Sequence, residues 1–129
     1  MEIFNTAQVF SLLQQDEKSD ITLRKLTESS LSIYAAELKP GKKLPAHSHH
    51  TGGEIYQVVS GEGIMETGRV EGTSVVWTAS FSIKAGDVFE VPSVMVHKLC
   101  NPGTEALRLI FFTPASHLGE DRVFVQQGG

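Results

Sequence analysis

The stretch of sequence that decides the fold is Gly41-Lys-Lys-Leu-Pro-Ala-His47-Ser-His49-His-Thr-Gly-Gly-Glu54-Ile-Tyr-Gln-Val-Val-Ser-Gly61. On a β-strand, alternate residues point to the same face, so His47 and His49 are expected to share one face. The glycine pair that follows allows a tight reversal, and Glu54 opens a second strand that ends before Gly61. Two neighbouring antiparallel strands can therefore direct two imidazoles and a carboxylate toward one point.

A second stretch, from Gly86 to Asn101, repeats this logic further along the chain. It predicts a turn, a strand over Val88–Val91, a break at Pro92 and a return strand that carries His97. Neutral imidazoles and carboxylates are ligands that suit divalent transition metals. We therefore expect one metal site, whose four ligands are His47, His49, Glu54 and His97.

These two stretches resemble the two sequence motifs of the cupin superfamily, motif 1 over residues 41–61 and motif 2 over residues 86–101. The resemblance implies a small double-sheet jelly-roll barrel in which residues at the four ligand positions bind a metal. The gap between His49 and Glu54 is similar to that of germins, which are manganese-dependent oxalate oxidases. One departure is Val94, which stands where the family usually has glycine. Because a β-branched residue avoids positive φ, we expect the loop before His97 to have a different shape.

Composition and charge narrow the class of protein. The chain has 129 residues and a mass of 14.1 kDa, and 40% of its residues are hydrophobic, which suits one domain over residues 1–129. The formal net charge is −4 and no basic run is longer than Lys42-Lys43, so nucleic-acid binding is not expected. No basic leader segment and no apolar run of bilayer-spanning length are evident, so we expect a cytoplasmic protein without a signal peptide or membrane anchor.

Short alternating segments punctuated by Gly and Pro predict an all-β protein. The expected strands are Ile21–Leu26, Leu31–Leu38, Leu44–His49, Glu54–Ser60, Gly63–Arg69, Ser74–Ile83, Val88–Val91, Met95–Cys100, Ala106–Thr113 and Arg122–Gln126. Before them, Thr6 is expected to cap a short helix that runs through Gln15. With the cupin resemblance, the predicted fold is a single-domain double-stranded β-helix (cupin jelly-roll barrel) with a short N-terminal helix.

The other candidate ligands have simpler explanations. His117 is expected to be a surface residue. By strand alternation His50 faces away from His47 and His49, although a bulge in the strand would let it replace His49. Cys100 is the only cysteine, which excludes an intrachain disulfide, and we interpret it as a buried, inert thiol.

Several apolar and aromatic residues are candidates for the substrate pocket. Tyr56 shares the face of Glu54, so its hydroxyl could contact a substrate or its ring could simply pack inside the barrel. Phe89, Leu109 and Phe111 are expected to face inward, first as core and second as pocket wall. Trp77 lies on a long hairpin, where it could form a dimer interface or cover the barrel mouth.

The expected ligand set indicates what chemistry the site could support. Three imidazoles and a carboxylate leave two open positions on octahedral Fe(II), Mn(II) or Ni(II), whereas Zn(II) is more often satisfied by four ligands. Iron or manganese is therefore favoured, with nickel or zinc as alternatives. This points to an Fe- or Mn-dependent oxygenase or oxidase acting on a small organic acid or a phenolic compound, as a homodimer like many such barrels.

Two other functions stay open at this stage. The run Glu54-Ile55-Tyr56 resembles part of the motif of cupin-type phosphoglucose isomerases, but a sugar phosphate also needs converging Arg or Lys, and few are expected on inner faces. The third possibility is a non-catalytic module that binds a metal or another ligand. Fold and metal ligands alone do not name a reaction.

Overall fold

A computed structural model describes residues 2–27, 31–49, 52–114 and 122–124, with side chains described except at position 49 and positions 122–124. Within these residues the chain forms one 3₁₀ helix, Val9–Leu12, and eleven strands. The strands are β1 (Gln14–Gln15), β2 (Thr22–Thr27), β3 (Leu31–Leu38), β4 (Lys43–His49), β5 (Glu54–Ser60), β6 (Glu62–Glu71), β7 (Ser74–Lys84), β8 (Val88–Val91), β9 (Val96–Cys100), β10 (Leu107–Pro114) and β11 (Arg122–Phe124). The prediction of an all-β chain is confirmed.

The strands form two antiparallel sheets with the core between them. One sheet, called sheet A below, has the order β1-β2-β3-β10-β5-β8, and the other, sheet B, has the order β11-β4-β9-β6-β7. Strand alternation explains the burial: on β5, Glu54, Tyr56 and Val58 are buried whereas Ile55 and Gln57 are exposed. The two sheets face each other across this buried layer, as expected for a jelly-roll barrel.

A row of four aromatic rings crosses the inner face of sheet A. Tyr34, Phe111, Tyr56 and Phe89 lie opposite one another on β3, β10, β5 and β8. The distances between successive ring centroids are 4.9, 5.5 and 5.3 Å. Such contacts stabilise a sheet beyond the burial of apolar area. They also hold β5 in position, and Glu54 lies on the same face of this strand, two residues before Tyr56.

The N-terminal helix differs from the prediction in length and type. It is a 3₁₀ helix of four residues, because Gln14 and Gln15 leave the helix to pair with Leu23 and Thr22 as β1. The Gln15 side chain also donates to the Ser19 carbonyl at 2.8 Å, which holds the turn between β1 and β2. Among the described residues no helix is long and apolar enough to cross a membrane.

The turn before His97 contradicts the expectation for Val94. This residue has φ +60°, so it adopts the left-handed conformation that glycine would normally supply. The Met95 amide donates to the Pro92 carbonyl at 3.4 Å, which closes a tight turn around it. The prediction of a different loop shape was wrong because the turn fixes the backbone, and the Val94 side chain avoids a clash by projecting into solvent, 64% exposed.

We expect Val94→Gly to stabilise the protein by about 1 kcal/mol, since a non-glycine residue costs about 1–2 kcal/mol in the left-handed region and glycine recovers part of this. Thermal unfolding should show a midpoint about 4 °C higher. The matched control is Val88→Gly, because Val88 is equally exposed but lies on a regular strand. That substitution should destabilise the fold, and a similar loss in Val94→Gly would show that the turn is not strained.

Candidate metal centre

Three of the four predicted ligands meet inside the barrel. His47 on β4 pairs directly with His97 on β9, both on the inner face of sheet B. Glu54, the first residue of β5, faces them from sheet A. The three residues are 1%, 0% and 2% exposed, respectively. One donor atom from each lies within 4.8 Å of the other two, so strands that are distant in sequence form one compact donor cluster.

The backbone fixes which nitrogen of each imidazole faces the cluster. His47 Nδ1 donates to the Pro45 carbonyl at 2.9 Å, and His97 Nδ1 donates to the Met95 carbonyl at 3.2 Å. A carbonyl oxygen only accepts, so Nδ1 carries a proton in each ring, and in the neutral form of the ring Nε2 presents its lone pair. This is the arrangement that orients a histidine for metal binding.

The contact between His97 and Glu54 tests whether a metal fits. His97 Nε2 lies 3.0 Å from Glu54 Oε1, and both groups are buried. In the neutral ring these two atoms are both electron-pair donors, and a cation, whether a proton or a divalent metal, stabilises such atoms at this distance in a buried site. Because the His47 ring also lies beside the His97 ring, with 4.1 Å between centroids, two imidazoles and a carboxylate share this point. These residues fit a divalent metal.

Tyr56 positions the carboxylate of Glu54. Its hydroxyl donates to Glu54 Oε2 at 3.0 Å, and its ring is buried in the aromatic row between Phe111 and Phe89. The sequence left open whether Tyr56 contacts a substrate or packs in the barrel. In the structure it packs, and its hydroxyl orients the Glu54 carboxylate.

We expect Tyr56→Phe to weaken metal binding about 10- to 100-fold while leaving the barrel folded, since groups that orient a ligand have effects of this size. The Kd can be measured by competition with a chelator of known affinity. Tyr34→Phe is the matched control, because Tyr34 is equally buried in the same row but lies at its far end. Equal loss of affinity in both variants would mean that the aromatic row, and not the hydroxyl on Glu54, determines the effect.

The fourth predicted ligand is not tested by the described side chains. His49 belongs to β4, where its backbone pairs with Arg122 of β11, but its side chain lies outside the described residues. His50 and His117 lie outside them altogether. A register shift does occur in β4, between Leu44 and His47. The assignment of His49 as a ligand therefore stays a prediction.

The predicted pocket residues separate into three groups. Tyr56 and Phe111 line a narrow apolar cavity beside His47 and Glu54. Phe89 lines a different and larger cleft, between β7 and β8. Leu109 is fully buried in the main core and lines neither of these cavities, so it acts as core.

Trp77 and Cys100 lie away from the donor cluster. Trp77 packs with Val75 and Val96 on sheet B, and the Lys98 ammonium lies 4.6 Å from its ring centroid. The two sequence interpretations of Trp77, a dimer interface and a cover over the barrel mouth, stay predictions. Cys100 is half-buried rather than buried, and the sequence expectation for it was wrong in that respect.

Sequence reasoning missed three residues that border the donor cluster. Thr67 pairs with His97, Val91 pairs with Glu54, and the Met95 carbonyl holds the His97 ring. None belongs to a residue type that signals metal chemistry. Only the register between strands, which the sequence does not give, could have identified them.

Comparison with known proteins agrees with this geometry. A family model described as Cupin domain matches residues 34–113. An uncharacterised protein of Methanocaldococcus jannaschii is 30% identical over 88 residues, which are 67% of this chain and 63% of that protein, so the match spans less than two thirds of its length. A conserved Klebsiella pneumoniae protein with a double-stranded β-helix domain has a TM-score of 0.70 at 20% identity, covering 98% of both chains. Bacillus subtilis oxalate decarboxylase, studied for its Mn(II) centres, has a TM-score of 0.65 at 22% identity, covering 84% of this chain and 28% of that one.

Proposed function

Because the chain belongs to the cupin family, we propose that it is a metal-dependent enzyme that uses Fe(II) or Mn(II) for oxygen-dependent chemistry on a small organic molecule. The observation that carries the proposal is the convergence of His47, Glu54 and His97 in a buried site in which both imidazoles are held by Nδ1 contacts to backbone carbonyls. His49 is proposed as the fourth ligand. Manganese is included as one of the two metals because the Bacillus subtilis neighbour, which has the same fold, has Mn(II) centres.

The residues of the chain have distinct tasks in this proposal. His47, Glu54 and His97, with His49 as the proposed fourth ligand, would hold Fe(II) or Mn(II), which would supply redox and Lewis-acid chemistry to a bound substrate. Tyr56 holds the Glu54 carboxylate in place, and the two Nδ1 hydrogen bonds hold the imidazoles. Apolar side chains, including Ile21, Leu44 and Phe111, surround the cluster and exclude bulk water from it.

A sugar-phosphate isomerase is less well supported. A phosphate group in a binding site requires converging Arg or Lys side chains. Among the described side chains that line the narrow cavity and the β7–β8 cleft, none is Arg or Lys. This observation favours an uncharged substrate or one whose charge is met by the metal itself.

The first experiment is metal analysis of protein purified without a His tag, combined with oxygen uptake in the presence of organic acids and phenolic compounds. The proposal expects about one Fe or Mn per chain and oxygen consumption that depends on one substrate class. Stoichiometric metal without oxygen consumption would contradict the oxygen chemistry and favour a binding module. Absence of bound metal after reconstitution with either ion would contradict the metal site.

The proposal also includes a homodimer that acts on a small molecule in the cytoplasm. Leu31 and Ile55, both exposed, extend the apolar surface of sheet A on the side away from the core. Such surface is more typical of proteins that associate. Sedimentation equilibrium at micromolar concentration tests the dimer, and a monomer mass would contradict it.

A further inference from the structure

A cleft of about 400 Å³ opens between β7 and β8, the edge strands of the two sheets. Its size lies within the range of small-molecule binding sites. Most of its wall is apolar, and two methionines and two phenylalanines are part of it. The apolar residues that line the cleft include Met65, Phe81, Ile83, Phe89, Val91 and Met95. These residues come from both sheets, so the cleft leads from the surface into the space between them.

The inner wall of the cleft lies directly beside the metal centre. Thr67, which lines the cleft, pairs with His97 across β6 and β9. Val91, also in the wall, pairs with Glu54. A molecule in the cleft is therefore one strand away from two of the three described donor residues.

The aromatic row also connects the cleft to the metal centre. Phe89 stands at the end of this row and faces the cleft, and its ring stacks on Tyr56 at 5.3 Å between centroids. The Tyr56 hydroxyl in turn contacts Glu54. The aromatic row and the two cross-strand pairs thus each connect the cleft to the metal centre, through different contacts.

The charges around the cleft select against anions. Asp87 and Glu90 are among its lining residues, and no described Lys or Arg side chain is. Arg122 is the single Lys or Arg of the sequence whose side chain lies outside the described part. In the metal-free protein, a carboxylate or phosphate in the cleft would face like charges without a counter-ion, which raises its free energy.

The lips of the cleft carry exposed apolar side chains. Phe81 on β7 is 52% exposed and Val88 on β8 is 64% exposed. Phe81 lies opposite Met65 on β6, so it belongs to the inward-facing set of sheet B but remains open to solvent at the edge. Covering these side chains with an apolar ligand removes apolar area from water and favours binding.

We propose that the β7–β8 cleft binds an uncharged aromatic small molecule and presents it to the metal centre from the side of the barrel. Aromatic rings suit the wall, because phenyl and thioether side chains make favourable contacts with them. The inference rests on the proposed function, because only that function makes the bound molecule a substrate. It narrows the substrate class to neutral aromatics such as phenols.

The test measures binding of N-phenyl-1-naphthylamine, an uncharged aromatic dye whose fluorescence rises in apolar surroundings, to the metal-free full-length protein. The comparison dye is 1-anilinonaphthalene-8-sulfonate, which adds one sulfonate to the same ring skeleton. We expect saturable binding of the neutral dye and weaker binding of the sulfonate. Because no metal is present, failure of this test leaves the metal and oxygen experiments unaffected.

Variants locate the dye. Phe81→Asp and Val88→Asp change exposed residues of the two lips, so both should fold, and each should weaken binding of the neutral dye by about tenfold or more. Val70→Asp is the control, since Val70 is as exposed as Phe81 on the same hairpin but does not line the cleft. Unchanged binding in both lip variants would place the dye elsewhere, for example in the apolar groove formed by Phe4, Ile33 and Phe112, and would overturn the proposal. So would tighter binding of the sulfonate.

Discussion

Glu54→Gln is expected to lower metal affinity by more than about 100-fold and to abolish any metal-dependent activity. Replacing groups that only orient a ligand already costs 10- to 100-fold, and this substitution removes the single described anionic donor itself. The amide has nearly the shape of the carboxylate, so the buried packing around Glu54 is preserved. Metal content after reconstitution and the Kd from chelator competition measure the effect.

The matched control for this change is Glu66→Gln. Glu66 lies on β6, pairs with Lys98 and is 3.4 Å from its ammonium group, outside the donor cluster. Its substitution should leave metal binding unchanged and should have little effect on stability, because this is a partly exposed ion pair. Wild-type affinity in Glu54→Gln, with a folded barrel by circular dichroism, would show that the cluster is not the metal site.

The same assay decides the role of His49. Its side chain is not described, so the fourth position of the ligand set is supported by sequence spacing alone. We expect His49→Ala to release the metal while the barrel remains folded. Full metal occupancy in that variant would reduce the site to the three residues that meet in the structure, His47, Glu54 and His97.

The strands could be predicted because their boundaries depend on local signals. Strands β3, β5 and β8 have the predicted bounds, and the residues next to them include glycines at positive φ, a conformation that other residues adopt only at a cost. Gly61 after β5 is an example: it has φ +85°, and a Cβ there would overlap the Ala106 carbonyl. Such requirements are visible in a sequence because only one residue type meets them.

The features that were missed depend on contacts between distant parts of the chain. Helix propensity over Thr6–Gln15 is overridden by pairing with Leu23, which no local pattern indicates. Val94 is held in a conformation that its type disfavours, because the turn from Pro92 to Met95 fixes the backbone. The β7–β8 cleft exists only because these strands become the edges of two different sheets.

Asn101→Ala is expected to destabilise the protein by about 3 kcal/mol, with little effect on metal binding. Asn101 ends motif 2, but its buried side chain bonds to the backbone of neighbouring segments. Its amide donates to the Leu38 and Glu105 carbonyls at 2.9 and 2.7 Å, and its Oδ1 accepts from the Gly103 amide at 3.0 Å. Asn101 is 1% exposed, and alanine removes all three bonds, of which the one to Leu38 is buried and the other two are partly buried. Thermal unfolding should show a midpoint about 10 °C lower.

Asn5→Ala provides the comparison, because Asn5 also bonds a backbone amide, that of Ala7 at 2.7 Å, but does so in solvent. Its loss should cost about 1 kcal/mol or less, since water replaces an exposed partner. A similar small cost for Asn101→Ala would contradict the argument that burial makes its three bonds important. If instead the folded Asn101→Ala protein loses its metal, Asn101 acts on the metal centre and the division of motif 2 into a ligand, His97, and a structural residue, Asn101, is wrong.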